Sequence, residues 1–163
     1  MSEALTTTQD DEMSVQEELP KVVRIQEIVF SFPAGVPGYP GATSFQLFPL
    51  GPEFGPYYGF RCVNDDQPVF IVVQPSAVLS DYIVEVDDLH QDLLGLENAE
   101  DALVLLVVTL NGPGRLPTAN LAAPLIINLN NNTGFQVLQI ESTFEMRHKL
   151  GIPFHDPNRS REN

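Results

Sequence analysis

The residues most able to bind a metal or to transfer a proton are three histidines, and they lie far apart in the sequence. His90, His148 and His155 lack the close pairing of ligands that zinc sites use. No serine stands in a Gly-x-Ser-x-Gly turn, so the sequence offers no activated nucleophile of that kind. We predict surface histidines, no metal site and no catalytic residue.

The other candidate chemical groups have simpler explanations. Cys62 is the single cysteine, which excludes an internal disulfide, and its apolar setting predicts a small core residue. The glycines at residues 111–115 lack the Gly-Lys-Ser/Thr ending of a phosphate loop, so a hairpin turn is favoured. The acid pairs at 65–66 and 87–88 do not have the spacing of a calcium loop. The sequence therefore predicts no enzyme activity and no cofactor.

Charge is the strongest signal in the composition. Twenty-two acidic residues stand against eight basic ones, which gives a net charge of −14. Nucleic acid is excluded as a direct ligand, because phosphate binding requires clustered lysine and arginine. A basic protein partner fits better, since complementary charge speeds the encounter of two proteins. Solubility alone is the other explanation of the acidic excess.

The acidic residues are most concentrated between residues 81 and 101, where no lysine or arginine occurs. They are Asp81, Glu85, Asp87, Asp88, Asp92, Glu97, Glu100 and Asp101. Two interpretations remain open for this segment. It is either a solvated face or a docking face for a basic protein.

Short apolar stretches separated by turn residues must position these groups. Alternating or continuous apolar residues predict strands near 23–26, 44–50, 57–63, 69–73, 81–86, 102–109, 125–129 and 135–140. Asparagine and glycine at 130–134 predict a hairpin. Residues 87–94 suit a short helix ended by Gly95, and residues 141–150 form a second short helix or an irregular tail. We expect a mainly β fold, an antiparallel β-barrel-like domain or a tight sandwich, with one or two short helices.

The composition also predicts the domain boundaries. Residues 1–20 contain six acids and no base, which predicts a disordered tail, and residues 155–163 are predicted to be a flexible one. One domain should occupy residues 21–154, with a β-bulge near Ile28 where the alternation shifts phase. No apolar segment approaches the roughly 20 residues that cross a bilayer, and the N-terminus lacks a secretion signal. We therefore expect a cytoplasmic protein without membrane contacts.

Four motifs in register resemble the flagellar assembly factor FliW family. Residues 32–39 (Phe-Pro-Ala-Gly-Val-Pro-Gly-Tyr) are similar to the family's early turn. Residues 68–75 followed by Asp81-Tyr82 resemble its central strand and the sequel to that strand. Residues 118–128 (Thr-Ala-Asn-Leu-Ala-Ala-Pro-Leu-Ile-Ile-Asn) match its most distinctive stretch, and Gln136-Val137 with Arg147 and Leu150 its C-terminal end. The resemblance spans residues 23–150.

The resemblance implies a small β-barrel-like protein without enzyme activity. It implies binding to the RNA-binding translational regulator CsrA, whose repression of flagellin synthesis is relieved, and binding to flagellin itself. The motif residues are then structural: Pro33, Gly35, Pro37, Gly38, Asn120, Pro124 and Asn128. We expect the recognition surface in the acidic segment instead, at Asp81, Glu85, Asp87 and Asp88.

The chain departs from the family pattern in three places, which leaves an alternative open. Residues 60–62 (Phe-Arg-Cys) replace the Leu-Gln-Ser common before the central strand, and neither terminal tail has a counterpart. The alternative is a β-barrel unrelated to flagella that binds a small ligand or acts as an enzyme. An interior filled by apolar side chains would speak against it.

Overall fold

A computed structural model describes residues 28–65, 68–140 and 142–151, and within them nine strands and one α-helix form. The strands are β1 (Phe30–Ser31), β2 (Ser44–Pro49), β3 (Tyr58–Cys62), β4 (Val69–Val73), β5 (Ala102–Thr109), β6 (Thr118–Ala119), β7 (Leu125–Asn128), β8 (Thr133–Gln136) and β9 (His148–Lys149). The helix, α1, is Asp88–Leu94. Three 3-10 turns lie at Pro52–Phe54, Pro75–Ala77 and Ala99–Asp101.

Seven of these strands close into a barrel. Strands β1 to β5 pair antiparallel in chain order, β5 then pairs with β7, and β7 pairs with β8. The ring is completed by a parallel contact in which Ser31 of β1 lies opposite Thr133 of β8. The predicted barrel is confirmed and the sandwich was wrong, while the expectation of purely antiparallel pairing fails at this one contact.

Phenylalanine rings fill the barrel interior. Phe45 of β2 and Phe60 of β3 are diagonal neighbours, since Phe45 lies opposite Cys62 and Phe60 opposite Leu47, and their rings stack with a centroid distance of 4.8 Å. Phe32 packs edge-on against both, at 5.4 and 5.8 Å. Together with Leu47 and Leu105 these rings are fully buried, so aliphatic and aromatic contacts occupy the space where other barrels hold ligands. Cys62 is buried in the same cluster, as expected of a small core residue.

The strand predictions were accurate at β4 and β5 and less so elsewhere. Residues 81–86 form no hydrogen-bonded strand, although their burial alternates as predicted. The hairpin between β7 and β8 is confirmed, but its turn lies at residues 129–132, with Asn132 at a positive φ of 59°. Strand β8 therefore begins two residues before Phe135 and includes Gly134, which the sequence had suggested for the turn.

The remaining expectations concern helices and chain ends. The helix at 87–94 is confirmed, with Asp87 as its N-cap and Gly95 ending it in a left-handed conformation. In the described part of residues 141–150 no helix forms, and β9 pairs there with β6. The acidic tail at 1–20, the start of the domain at 21, the strand near 23–26 and the tail at 155–163 lie outside the described residues. The β-bulge near Ile28 stays a prediction, because the structure describes the chain only from residue 28 onward.

We predict that Gly134→Ala destabilises the barrel. A Cβ at this position would lie 2.5 Å from Cζ of the fully buried Phe32 and 2.9 Å from Cγ1 of Ile127. Overpacking of this kind costs about 1–3 kcal/mol, which urea unfolding would detect as a lower midpoint. Gly41→Ala is the control, because a Cβ there meets nothing within 4 Å. Equal midpoints for the two variants would contradict the prediction.

Candidate partner-binding surface

Strand β5 changes its partner half-way along its length, and residues 118–128 make this possible. Leu105 lies opposite Leu125 of β7, whereas Val108 lies opposite Ala119 of β6. Between these two pairs, residues 106–107 of β5 face the longer segment 120–124. The extra residues leave the sheet as an enlarged bulge, which redirects the chain between β6 and β7.

The bulge is held by the polar and proline residues of the motif. The Asn120 side-chain oxygen accepts hydrogen bonds from the amides of Ala122 (2.9 Å) and Ala123 (3.2 Å), which forms a local turn. Pro124 is buried directly before β7, and its carbonyl accepts a hydrogen bond from Val137. The hydrogen bonds of Asn120 and Pro124 thus go to neighbouring segments of the same chain and hold the bulge in place.

Asn128, the last residue of the motif, joins the barrel to helix α1. Its side chain is 1% exposed and donates to the carbonyls of Leu94 (2.9 Å) and Gly95 (3.1 Å) at the end of the helix. Its side-chain oxygen accepts from the amide of Asn130 at 2.9 Å. The carbonyls at a helix end need such partners, so one side chain satisfies two of them and fixes the helix on the hairpin.

We predict that Asn128→Ala lowers the free energy of unfolding by about 2 kcal/mol, because it removes three hydrogen bonds of a buried side chain, although the Leu94 carbonyl keeps the Asn131 side chain as a donor. Chemical denaturation measures the difference. Asn130→Ala serves as the control, since that side chain is exposed and the change should stay within about 0.5 kcal/mol. A loss for Asn128→Ala no larger than the control's would refute the assigned role.

The early turn motif folds back on itself between β1 and β2. Gly35 and Gly38 adopt positive φ angles of 67° and 85°, which other residues rarely adopt. A Cβ on Gly35 would also lie 2.6 Å from the carbonyl oxygen of Tyr39. Pro33 and Pro37 are exposed on this loop. The motif thus shapes a turn at the start of the barrel.

Residues 81–87, here called the acidic strip, run over a cluster of buried side chains that is separate from the barrel interior. Val84 and Val86 face inward against a cluster that contains Leu94, Ile126 and Val137. Asp81, Ile83, Glu85 and Asp87 alternate with them and are exposed. The strip therefore presents three of the four predicted recognition residues on one side, while Asp88 follows in the first turn of α1.

Two side chains attach the acidic strip to the rest of the molecule. The Tyr82 hydroxyl donates to the carbonyl of Leu121 at 2.6 Å, and burial raises the pKa of Tyr82 to about 12. This contact joins the Asp-Tyr motif to the bulge of the 118–128 motif. Gln139 provides the second attachment: its side-chain oxygen accepts from the Glu85 amide (2.8 Å), and its side-chain nitrogen donates to the Glu85 carbonyl (3.0 Å).

Asp87 ends the strip and begins the helix. Its carboxylate accepts a hydrogen bond from the His90 amide at 2.8 Å and lies 2.8 Å from the His90 ring nitrogen Nδ1. The His90 amide is the first cause that lowers the pKa of Asp87, and the His90 ring adds to it. A side-chain acceptor here satisfies an amide that the first helical turn leaves unpaired.

We predict that Asp87 titrates below its ordinary pKa of 3.8 in the folded protein. The folded state then favours the ionised form, so Asp87 stabilises the helix above the unfolded pKa and the effect is lost as pH falls through the folded pKa. The His90 amide shift, followed by NMR against pH, reports the midpoint. A peptide of residues 84–96 is the unfolded reference, and an equal or higher midpoint in the protein would contradict us.

A shallow groove of about 570 Å³ lies beside the acidic strip, and the sequence did not reveal it. Its apolar lining comes from Ile83 and Val86 of the strip and from Leu138, Ile140 and Phe144, which follow β8 in the chain. Residues 135–140 were predicted to form one strand, yet Leu138 and Ile140 are exposed beyond its end. Alternation indicates which residues share a face, but not whether that face is covered.

The described residues contain no cluster of three or more histidine, cysteine or acidic side chains able to hold a metal ion. His90 and His148 are half-buried and pair with Asp87 and Glu145, respectively, at 2.8 and 2.7 Å. Among the helices described, none has the length and apolar character needed to cross a membrane. The surface formed by the strip and the groove is thus acidic and partly apolar.

Comparison with known proteins identifies the family. The family model described as FliW protein matches residues 7–150. The match includes most of the N-terminal tail, so the expectation that this tail has no counterpart in the family was wrong. The chain belongs to the FliW family. It is 31% identical to the flagellar assembly factor FliW of Bacillus subtilis over 126 residues, which cover 77% of this chain and 87% of that protein. Identity to the Bacillus velezensis FliW is 32% over 130 residues, with 79% and 90% covered.

A solved structure agrees with this assignment. The crystal structure of the flagellar assembly factor FliW matches with a TM-score of 0.70 at 25% identity, covering 81% of this chain and 89% of that one. Flagellar assembly factors of this family are regulatory and binding proteins and not enzymes. The resemblance, the fold class and the expectation of a non-enzymatic protein are therefore confirmed.

Proposed function

We propose that this flagellar assembly factor binds the translational regulator CsrA and also flagellin, in the cytoplasm, and so couples flagellin synthesis to its secretion. Flagellin that has been secreted no longer occupies the protein, which is then free to capture CsrA and relieve its repression. Family membership supports the flagellar role. The partners themselves follow from the resemblance, and the acidic strip is the feature that we assign to CsrA.

The charge of the strip supports this assignment. Asp81, Glu85 and Asp88 are exposed and form no ion pair with other described residues. No lysine or arginine occurs between residues 81 and 101, so the negative charge there is not neutralised locally. An uncompensated acidic face attracts a basic protein and raises the rate of association.

The same charge accounts for antagonism without direct competition for RNA contacts. A protein of net charge −14, docked beside a basic RNA-binding surface, lowers the electrostatic potential that attracts phosphate. RNA affinity depends strongly on such charge. On this hypothesis CsrA releases RNA even if the strip touches none of its RNA-binding residues.

We predict that Glu85→Lys weakens CsrA binding about tenfold, or about 1.4 kcal/mol. Isothermal titration of the full chain with a cognate CsrA, repeated at low and high salt, measures the Kd and its salt dependence. Glu53→Lys is the matched control, because it changes the net charge equally and Glu53 is an exposed residue of the 3-10 turn Pro52–Phe54, outside the strip. Equal weakening by both variants would show that the strip is only a solvated face and not the binding site for CsrA.

Absence of any binding of the unchanged protein to CsrA and to flagellin would overturn the proposed function itself. Family membership overturns the alternative of a barrel unrelated to flagella. The barrel interior is a packed core, filled by Phe30, Phe32, Phe45, Phe60 and their aliphatic neighbours.

A further inference from the structure

The groove beside the acidic strip exposes more apolar surface than an ordinary loop face. Ile83, Leu138 and Ile140 are 72%, 60% and 78% exposed, and all three line the same groove. Phe144 closes one side, where its ring packs 4.6 Å from the ring of Tyr82. Clustered exposure of large apolar side chains is typical of an interaction site, whereas scattered ones are not.

The backbone along the groove has free hydrogen-bonding groups. Residues 137–140, here called the return strip, bond on one side to the bulge through Val137 to Pro124 and Gln139 to Ala122. The Leu138 amide between them therefore points to the opposite side. Within the described residues the amides of Ile83, Leu138 and Ile140 make no hydrogen bond. A ladder between the two strips is missing, and the Gln139 side chain bridges them instead.

The charges at the groove restrict its occupant. Glu85 and Asp87 line it, and Asp81 is exposed one alternation further along the strip. A second copy of this chain would bring another −14 charge against these carboxylates, which opposes that occupant. A segment with lysine or arginine side chains meets the acidic rim favourably.

We propose that the groove binds an extended segment of a partner protein that carries both apolar and basic side chains on one face, and that this segment adds to the exposed backbone of the two strips as a β-strand. The partner's apolar side chains then cover Ile83, Leu138 and Ile140. Its basic side chains reach Glu85 and Asp87, and its backbone bonds to the free amides. Strand addition takes affinity from main-chain hydrogen bonds and specificity from alternate side chains.

This inference deepens the proposed function and rests on it in one respect, because Glu85 belongs both to the assigned CsrA face and to the groove. The two are nevertheless separable. Groove binding depends on apolar side chains and backbone amides. The proposed attraction of CsrA depends only on the carboxylates of the acidic strip.

The first test uses a capped octapeptide, Thr-Val-Thr-Lys-Thr-Val-Thr-Lys, which places valine and lysine on the same face of a strand. It is titrated into the full-length protein and followed by NMR. We expect shift changes centred on the amides of Ile83, Leu138 and Ile140. The double variant Ile83→Ser, Ile140→Ser should raise the peptide Kd at least tenfold. Val69→Ser is the control, because Val69 is 58% exposed on β4 and does not line the groove. Thermal unfolding checks that each variant is folded.

The second test asks whether the peptide binds as a strand. Methylating alternate backbone amides of the peptide gives two versions, one for each edge of the added strand. Both versions should bind more weakly than the unmethylated peptide, because each edge of the added strand bonds to one of the two strips. Binding by either version as tight as that of the unmethylated peptide, equal weakening by Val69→Ser, or preference for the same peptide with glutamate in place of lysine would overturn the proposal. So would self-association of the protein through the groove, or binding there of a peptide of residues 152–163 in place of the basic one.

Full-length CsrA then separates this inference from the proposed function. If CsrA binding is lost with Glu85→Lys but not with the serine double variant, the assignment of CsrA to the acidic face is supported. The proposal that the groove takes part in that binding is then overturned. Binding of the octapeptide by a protein that does not bind CsrA would support the groove and overturn the proposed partner. Loss with both variants supports the two together.

Discussion

The structure depends on the way strand β5 divides its hydrogen bonds between two partners. Its first half pairs with β7, which closes the barrel, and its second half with β6, which lies outside the ring. Two strands can follow one another along the same edge only if the chain between them leaves the sheet. Residues 120–124 do so, and the hydrogen bonds of Asn120 stabilise that departure. The most distinctive motif of the sequence therefore determines how the chain passes from β6 to β7.

The candidate interaction surface depends on the same bulge. The carbonyls of Ala122 and Pro124, displaced from the sheet, accept hydrogen bonds from the return strip, which would otherwise continue β8. The displaced Leu121 accepts the Tyr82 hydroxyl, which anchors the acidic strip. The two strips lie beside each other because both are bound to the bulge, and Gln139 keeps them joined without a backbone ladder. Family motif and candidate surface are thus linked although the motif does not line the groove.

The fold was predictable in those elements where the local sequence pattern and the tertiary packing agree. Strands β4 and β5 match their predicted bounds, and α1 has both its cap and its terminating glycine. The predictions failed where a residue's secondary structure depends on what packs beside it in the fold. Residues 81–86 alternate like a strand, yet a glutamine side chain takes the place of a neighbouring strand. Gly134 was placed in the turn by its residue type, whereas the ring of Phe32 requires a glycine within β8. The acidic residues of the candidate surface were visible in the sequence, but its apolar half was not.

The parallel contact between β1 and β8 has a consequence for how the chain is made. Ser31 and Thr133 are separated by most of the domain, so the ring cannot close until the C-terminal third has left the ribosome. Until then β1 to β4 present open sheet edges and the phenylalanines that will fill the interior, a combination that favours association between unfinished chains. Contacts of such long sequence separation also slow folding. Barrel closure therefore belongs to the end of synthesis, when β8 first becomes available to β1.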